Sequence, residues 1–204
     1  MHCNILIRAK KKRFIVYCNI DYTSKLYSGA TEAEIDSHWS NSFKALFQRS
    51  EFLNSALLAQ RLAQDRIAVH TRFTALLADF QDSTTKYISE TRKSEIMASL
   101  LRKIDTIGNR NGSTKIYVFS DSIKFLNYIR FNSDYLVLEG TPAHLDIHSE
   151  DLKMELHLKT FIDFFAIAES DEIVLLKTKE MYHSAFPKYA SKIYGRKFSL
   201  IETL

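Results

Sequence analysis

The sequence predicts an α/β fold, in which a Rossmann-like parallel sheet carries helices on both faces. From Ile67 to the end of the chain, short apolar runs alternate with segments whose apolar residues recur every three or four positions. Such an alternation of strands and helices is typical of a parallel sheet. Residues with turn or capping chemistry follow most of the apolar runs, as expected where a strand passes into a helix.

Five strands are predicted in this part of the chain. Valine, isoleucine, leucine and aromatic residues dominate them, which is typical of strands buried on both faces. They span residues 67–69, 115–119, 135–138, 172–176 and 198–201. A further apolar run, Phe14–Cys18, predicts a strand in the amino-terminal segment.

Helices are predicted between these strands from their apolar stripes and their end signals. Ser50, Ser122 and Ser184 stand where N-cap residues belong, and Gly108 and Gly195 stand where a glycine ends a helix. Because crossovers between parallel strands are right-handed, the helices should cover both faces of the sheet.

The composition limits the classes of function. The chain has 204 residues, 46% of them hydrophobic, so it can form one good-sized domain with a real core. A formal net charge of +4 is compatible with a phosphorylated ligand but too small to predict a nucleic-acid partner. Cys3 and Cys18 are the only cysteines, and they predict neither a disulfide framework nor a zinc site.

The sequence predicts no transmembrane segment and no signal peptide. No uninterrupted apolar stretch is long enough to cross a bilayer, and the first charges are not followed by an apolar core of the length that a signal peptide needs. We therefore expect a reduced, cytoplasmic setting. The basic run at residues 8–13 favours a solvated loop, and peripheral contact with an anionic membrane surface is the alternative.

Polar side chains follow four of the predicted strands. Because the carboxyl ends of parallel strands meet at one edge of a sheet, we expect these side chains to gather there, where open α/β sheets bind ligands. The residues that this argument places at the edge are His70, Arg72, Ser120, Asp121, Ser122, Thr141, His144, Asp146, Thr178, Tyr182, His183 and Ser184.

Each of these residues also has an ordinary structural explanation. Ser120 and Ser184 can be helix caps, His144 a loop histidine, and Arg72 a member of a surface ion pair. Together they suit a nucleoside diphosphate, because arginine and helix N-termini bind phosphates and a carboxylate can meet a ribose or a base edge.

Several other chemistries lack their motifs. The sequence contains no Gly-x-Gly-x-x-Gly, no Walker A loop and no Gly-x-Ser-x-Gly elbow. His144 and Asp146 alone are weak evidence for a metal site. A phosphate-ester enzyme built on Asp121 is a third possibility, although Ile123 stands where a second aspartate is wanted; a magnesium requirement would favour it.

Three stretches carry a resemblance to a known family. They are His70-Thr71-Arg72 after one strand, Ser120-Asp121 after the next, and Ser184-Ala185-Phe186 at the start of the last helix. In this order they resemble the carboxyl-terminal, donor-binding domain of the α1,2/α1,6 and protein O-fucosyltransferases that use GDP-fucose. The likeness covers roughly residues 45 to 204.

The resemblance implies one half of a GT-B glycosyltransferase. Arg72 would hold the donor's phosphates, and His70 would approach the nucleotide or the sugar. Asp121 or a neighbour, with His144 and Asp146 nearby, would meet guanine or ribose. Ser184, Ala185 and Phe186 would cradle the diphosphate. Transfer to a glycan or glycolipid acceptor would be inverting, with no metal and no resident cofactor.

The chain departs from the family in two respects. First, Phe73, Thr74 and Ala75 replace the second basic residue and the Gly-Asp that commonly follow the arginine, so an acid that could act as base is missing; Asp79 and Asp82 are the nearest substitutes. Second, a full GT-B enzyme has two such domains, and the residues before the donor domain 46–204 are too few for a complete acceptor domain, so the segment 1–45 is at most a remnant of one. A fragment, a shortened homologue and a non-catalytic nucleotide-binding module all fit these departures.

Overall fold

The computed structural model of the chain describes Lys25 and residues 27–79, 88–142 and 154–203. Four parallel strands form its sheet: β1 (Arg66–Thr71), β2 (Lys115–Ser120), β3 (Glu172–Thr178) and β4 (Lys197–Thr203). Their order across the sheet is β2-β1-β3-β4. The direction of strand succession reverses between β1 and β3, and the carboxyl ends at such a switch point are the usual place for a ligand.

The prediction of a full strand at residues 135–138 was wrong. Only one bridge, between Tyr117 and Leu136, joins this stretch to the free edge of β2. It rests on two hydrogen bonds: Val118 N–H donates to the Leu136 carbonyl over 2.8 Å, and Leu136 N–H donates to the Ile116 carbonyl over 2.9 Å. The segment therefore extends the sheet by a single step of pairing.

Six helices pack around the sheet in the described part of the chain. Those on one face are α3 and α4, and those on the other are α1, α2, α5 and α6. The bounds are α1 (Glu32–Leu46), α2 (Glu51–Ala59), α3 (Glu90–Asn111), α4 (Ile123–Asn132), α5 (Met154–Ala168) and α6 (Phe186–Ile193).

The alternation of side chains along β1 divides the core into two layers. Ile67 and Val69 face α3 and α4, whereas Ala68 faces α5 and α6; all three are buried. Successive side chains of a strand point to opposite faces, so a run that is apolar at every position needs cover on both. The prediction of a parallel sheet with helices on both faces is confirmed.

The predicted helix starts are correct at two positions and one residue off at a third. The Ser50 and Ser122 hydroxyls accept from the N–H groups of Leu53 and Phe125, so both residues are N-caps. The prediction that Ser184 is the N-cap of α6 was wrong, because Ala185 occupies that position.

Gly108 lies inside α3 and does not end it, so that prediction was wrong. The helix continues to Asn111, and Gly112 follows with φ +59°. A Cβ at Gly108 would lie 3.1 Å from the Tyr135 Oη. The glycine therefore lets the Tyr135 ring lie against α3, where its hydroxyl donates to Asp105 over 2.8 Å.

Helix α1 was not predicted from the polar stretch in which it lies. Its signal was the capping box at Thr31 and Glu34, in which each side chain accepts from the backbone N–H of the other residue. The helix packs on α6, since the Ser40 hydroxyl donates to the Ile193 carbonyl over 2.8 Å and the rings of Trp39 and Tyr189 lie 5.4 Å apart. The division at residues 45 and 46 stays a prediction.

Several predictions fall outside the described residues. They concern the strand at 14–18, the basic run at 8–13, the two cysteines, and His144 with Asp146. In the part of the chain that the structure describes, no helix has the length and apolar character needed to cross a membrane.

Candidate functional site

A cavity of about 470 Å³ opens where the loops after β1 and β3 meet α5 and α6. These two strands flank the switch point of the sheet, so the cavity lies at the edge where the sequence predicts a ligand. Arg72 follows β1, Tyr182 and Ala185 follow β3, and the other lining residues are Thr160, Phe161, Phe164, Phe186 and Tyr189.

His70 lies under this cavity as an uncharged ring. It is the fifth residue of β1, is 7% exposed, and its ring lies 5.6 Å from the ring of Phe186. Burial, and secondarily the charge of Arg72, lower the pKa of His70 to about 3. Because an imidazole with this pKa is neutral near pH 7, His70 adds no positive charge to the site and is a poor proton acceptor.

The Nδ1 atom of His70 is buried and has no hydrogen-bond partner among the described residues. A buried polar atom without a partner costs free energy, and such atoms are found where a ligand or water completes the site. The ring therefore packs against one wall of the cavity and carries unused hydrogen-bonding capacity.

Arg72 reaches from the end of β1 to the mouth of the cavity. Its Nε lies 3.9 Å from the Asp121 Oδ2, at the outer limit of an ion pair. Its guanidinium carbon lies 5.3 Å from the centre of the Tyr182 ring, within the range of a cation–π contact. The Arg72 side chain is 26% exposed and is part of the lining of the cavity.

Asp121 faces the backbone that follows Arg72. Its Oδ1 accepts from Phe73 N–H and its Oδ2 from Thr74 N–H, each over 2.8 Å. Burial raises the pKa of this carboxyl, and the two N–H groups and Arg72 act against that rise. That Asp121 or a neighbour meets guanine or ribose, as the resemblance implies, stays a prediction; in the structure its carboxylate accepts from the backbone of the loop after β1.

Asp79 lies at the N-terminus of α4. Its Oδ2 accepts from the Ser122 hydroxyl over 2.8 Å and from Lys124 N–H over 2.7 Å. A carboxylate at this end of a helix satisfies its free N–H groups and its dipole. The α4 N-terminus is thus already bound by the carboxylate of Asp79.

The N-terminus of α6 is the helix end that borders the cavity. The Ser184 hydroxyl accepts from Phe186 N–H over 3.3 Å, and Ser184 itself is buried. Pro187 has no N–H, so the first turn offers few free donors, but Ala185 and Phe186 line the cavity wall. This end of α6 contributes the positive end of its dipole to the site.

The structure brings together only part of the predicted set. His70, Arg72, Ala185 and Phe186 lie at or under the cavity, and Ser184 supports it from below. Ser120 is buried and accepts from Ser122 N–H over 3.1 Å, which is a turn contact. His144 and Asp146 lie outside the described residues.

Sequence reasoning missed the aromatic walls of the cavity. Their helical spacing predicts Phe161 and Phe164 on the apolar stripe of α5, and Tyr189 on the inner face of α6. Their spacing along a helix is the same for a core residue and for a cavity wall, so the sequence carries no signal that separates the two. None of the described residues that line the cavity is a carboxylate.

No protein-family profile matches the chain, and no curated protein matches it. Among solved structures, it is similar to fucosyltransferase NodZ from Bradyrhizobium, with a TM-score of 0.46 and 13% identity over 79% of this chain and 46% of that protein. It is also similar to NodZ α-1,6-fucosyltransferase soaked with GDP-fucose, with a TM-score of 0.41 and 16% identity over 72% of this chain and 43% of the other. The chain spans less than half the length of each.

Proposed function

We propose that the chain is a glycosyltransferase-like domain that binds a nucleoside-diphosphate sugar, GDP-fucose in particular, in the cavity beside Arg72. The observation that carries the proposal is the placement of the Arg72 guanidinium at the mouth of this cavity, next to the α6 N-terminus. The choice of GDP-fucose rests on the resemblance of the stretches that contain His70, Asp121 and Ser184 to GDP-fucose-dependent enzymes.

In this proposal Arg72 holds the diphosphate. A guanidinium donates two parallel hydrogen bonds to phosphate oxygens and keeps its charge at every accessible pH. The Arg72 Nε lies 3.9 Å from the Asp121 Oδ2, and the guanidinium carbon lies 5.3 Å from the centre of the Tyr182 ring, which keeps the guanidinium at the cavity. The dipole of α6 adds to the same field.

The aromatic walls receive the organic parts of the ligand. Phe164 and Phe186 meet edge to face with centroids 5.1 Å apart, and Phe161, Tyr182 and Tyr189 complete the lining. Such rings suit a planar base or the apolar face of a sugar. His70 acts as an uncharged ring that packs against Phe186, and its buried Nδ1 has no hydrogen-bond partner among the described residues.

Transfer would invert the configuration of the sugar without a metal. The acceptor hydroxyl of a glycan or glycolipid attacks the anomeric carbon, the bond to the diphosphate breaks, and GDP leaves with the electron pair while a base takes the hydroxyl proton. Arg72 would stabilise the charge that develops on the leaving diphosphate.

A second candidate is a nucleotide-binding module that does not catalyse transfer. It is favoured by two observations: none of the described cavity residues is a carboxylate, and the pKa of His70 is lowered to about 3. A base would have to come from outside this lining.

Calorimetric titration of the full chain separates the possibilities. We expect GDP and GDP-fucose to bind without added metal, and UDP and ADP to bind at least about tenfold more weakly, since a site that reads a base discriminates by one to three kcal/mol. Binding without hydrolysis or transfer of GDP-fucose would support the module. Equal binding of all four nucleotides, or of none, would contradict the proposed donor.

A further inference from the structure

The loop after β1 is fixed by a side chain that belongs to β2. Asp121 directly follows β2, and its two carboxylate oxygens accept from two successive backbone N–H groups, those of Phe73 and Thr74. The Asp121 side chain is 12% exposed, so these charge-assisted bonds are shielded from water. The clamp joins the carboxyl ends of two neighbouring strands.

The clamped groups come immediately after Arg72. Thr74 has a φ of +53°, a conformation that a residue with a side chain adopts at a cost, and the bond from its N–H to Asp121 stabilises that turn. The same Oδ2 lies 3.9 Å from the Arg72 Nε. Asp121 thus lies near the Arg72 side chain and binds the backbone N–H groups of the two residues that follow Arg72.

We propose that Asp121 is a positioning residue for Arg72: by clamping Phe73 N–H and Thr74 N–H, it directs the guanidinium into the cavity against Tyr182. Its effect on ligand affinity rests on the proposed function, whereas its effect on the order of the Arg72 side chain does not.

Asp79 offers a matched control on the same loop. Its carboxylate also makes a contact from this loop, accepting from the Ser122 hydroxyl and Lys124 N–H, but it lies seven positions beyond Arg72 in sequence. Asp79→Asn should loosen the attachment of the loop to α4 without changing the turn at Phe73 and Thr74. If Asp121 contributed only to general stability, Asp121→Asn and Asp79→Asn should have the same effect on the order of the Arg72 side chain.

The first test uses the full chain without ligand. The heteronuclear NOE of the Arg72 Nε–Hε group reports the order of the guanidinium. We expect a high value in the wild type and in Asp79→Asn, and a marked fall in Asp121→Asn, in which an amide NH₂ faces a backbone donor. An unchanged NOE in folded Asp121→Asn would overturn the proposal. If that variant does not fold, Asp121→Ser, which keeps one acceptor, is read in the same way.

The second test is a double-mutant cycle on GDP affinity. Asp121→Asn should weaken GDP binding about tenfold in the wild type and have little further effect in an Arg72→Ala background, because it acts through Arg72. Equal effects in both backgrounds would show that Asp121 does not act through Arg72. Failure of the wild type to bind GDP would contradict the proposed function alone, and the NOE would still decide the role of Asp121.

Discussion

The Arg72 guanidinium carbon lies 5.3 Å from the centre of the Tyr182 ring, so the two side chains together line the mouth of the cavity. Arg72 follows β1 and Tyr182 follows β3, the two strands on either side of the switch point. The two residues therefore meet because they follow neighbouring strands at the switch point of the sheet.

Arg72→Ala should weaken GDP binding about ten- to a hundredfold, because a hydrogen bond to a charged group contributes roughly 1.5–3 kcal/mol. The GDP affinity of Arg72→Lys should lie between those of the wild type and Arg72→Ala, since lysine keeps the charge and loses the planar pair of donors. Titration calorimetry measures all three. Arg196→Ala is the matched control, because Arg196 pairs with Asp171 at the opposite edge of the sheet. Unchanged affinity in folded Arg72→Ala would remove Arg72 from the site.

Tyr182→Ala should weaken GDP binding about three- to tenfold, as expected for the loss of a cation–π contact that holds the guanidinium in place. Tyr182→Phe keeps the ring and should bind as the wild type does. Since Tyr182 is 58% exposed, neither change should alter the urea midpoint much. If the phenylalanine variant were as weak as the alanine variant, the hydroxyl and not the ring would be the important group.

His70 should make the fold sensitive to acid. Its pKa is about 3 in the folded state against an ordinary value of 6.5, so below pH 6.5 the unfolded chain binds a proton that the folded chain does not. Stability should therefore fall by about 1.4 kcal/mol for each pH unit below about 6.5, down to about pH 3.

The comparison of wild type with His70→Phe isolates this effect. The raised pKa values of Asp121 and Asp163, which burial causes, act in the opposite direction, and they are common to both proteins. Urea midpoints between pH 7 and pH 5 should fall more steeply for the wild type. Parallel profiles would show that the His70 ring is protonated in the folded state.

Gly140→Ala should destabilise the fold by about 1–3 kcal/mol, the usual range for a strained backbone conformation. Gly140 has φ +106°, and a Cβ there would lie 2.9 Å from the Cδ of buried Lys159, whose ammonium group pairs with Asp163. At Gly195, with φ +61° and no atom within 4 Å of a Cβ, alanine should cost less. Urea unfolding measures both losses, and similar values would mean that the Lys159 stem moves aside freely.

The sheet and its two layers followed from the sequence because period and burial are local properties. Ile67, Ala68 and Val69 are all apolar, and a strand with this pattern must be covered on both faces. The carboxyl ends of β1 and β3 then have to meet at one edge, which is why the sequence predicts Arg72 and Ser184 at the same edge.

The parts that could not be predicted depend on contacts between distant segments. Gly108 has the local context of a helix end, and only the position of Tyr135 explains why it lies inside α3. The clamp from Asp121 to Phe73 joins residues 48 positions apart, and no spacing rule indicates it. Phe161 has the same helical periodicity whether it fills a core or lines a cavity.

The most direct test of the proposed site is a titration of the isotopically labelled chain with GDP, followed through the chemical shifts of its N–H groups. We predict that the largest changes fall on the Arg72 Nε–Hε and on the backbone N–H groups of Tyr182, Ala185 and Phe186. Changes centred on the α4 N-terminus at 123–125, where Asp79 already binds, or no changes at saturating GDP, would contradict the account.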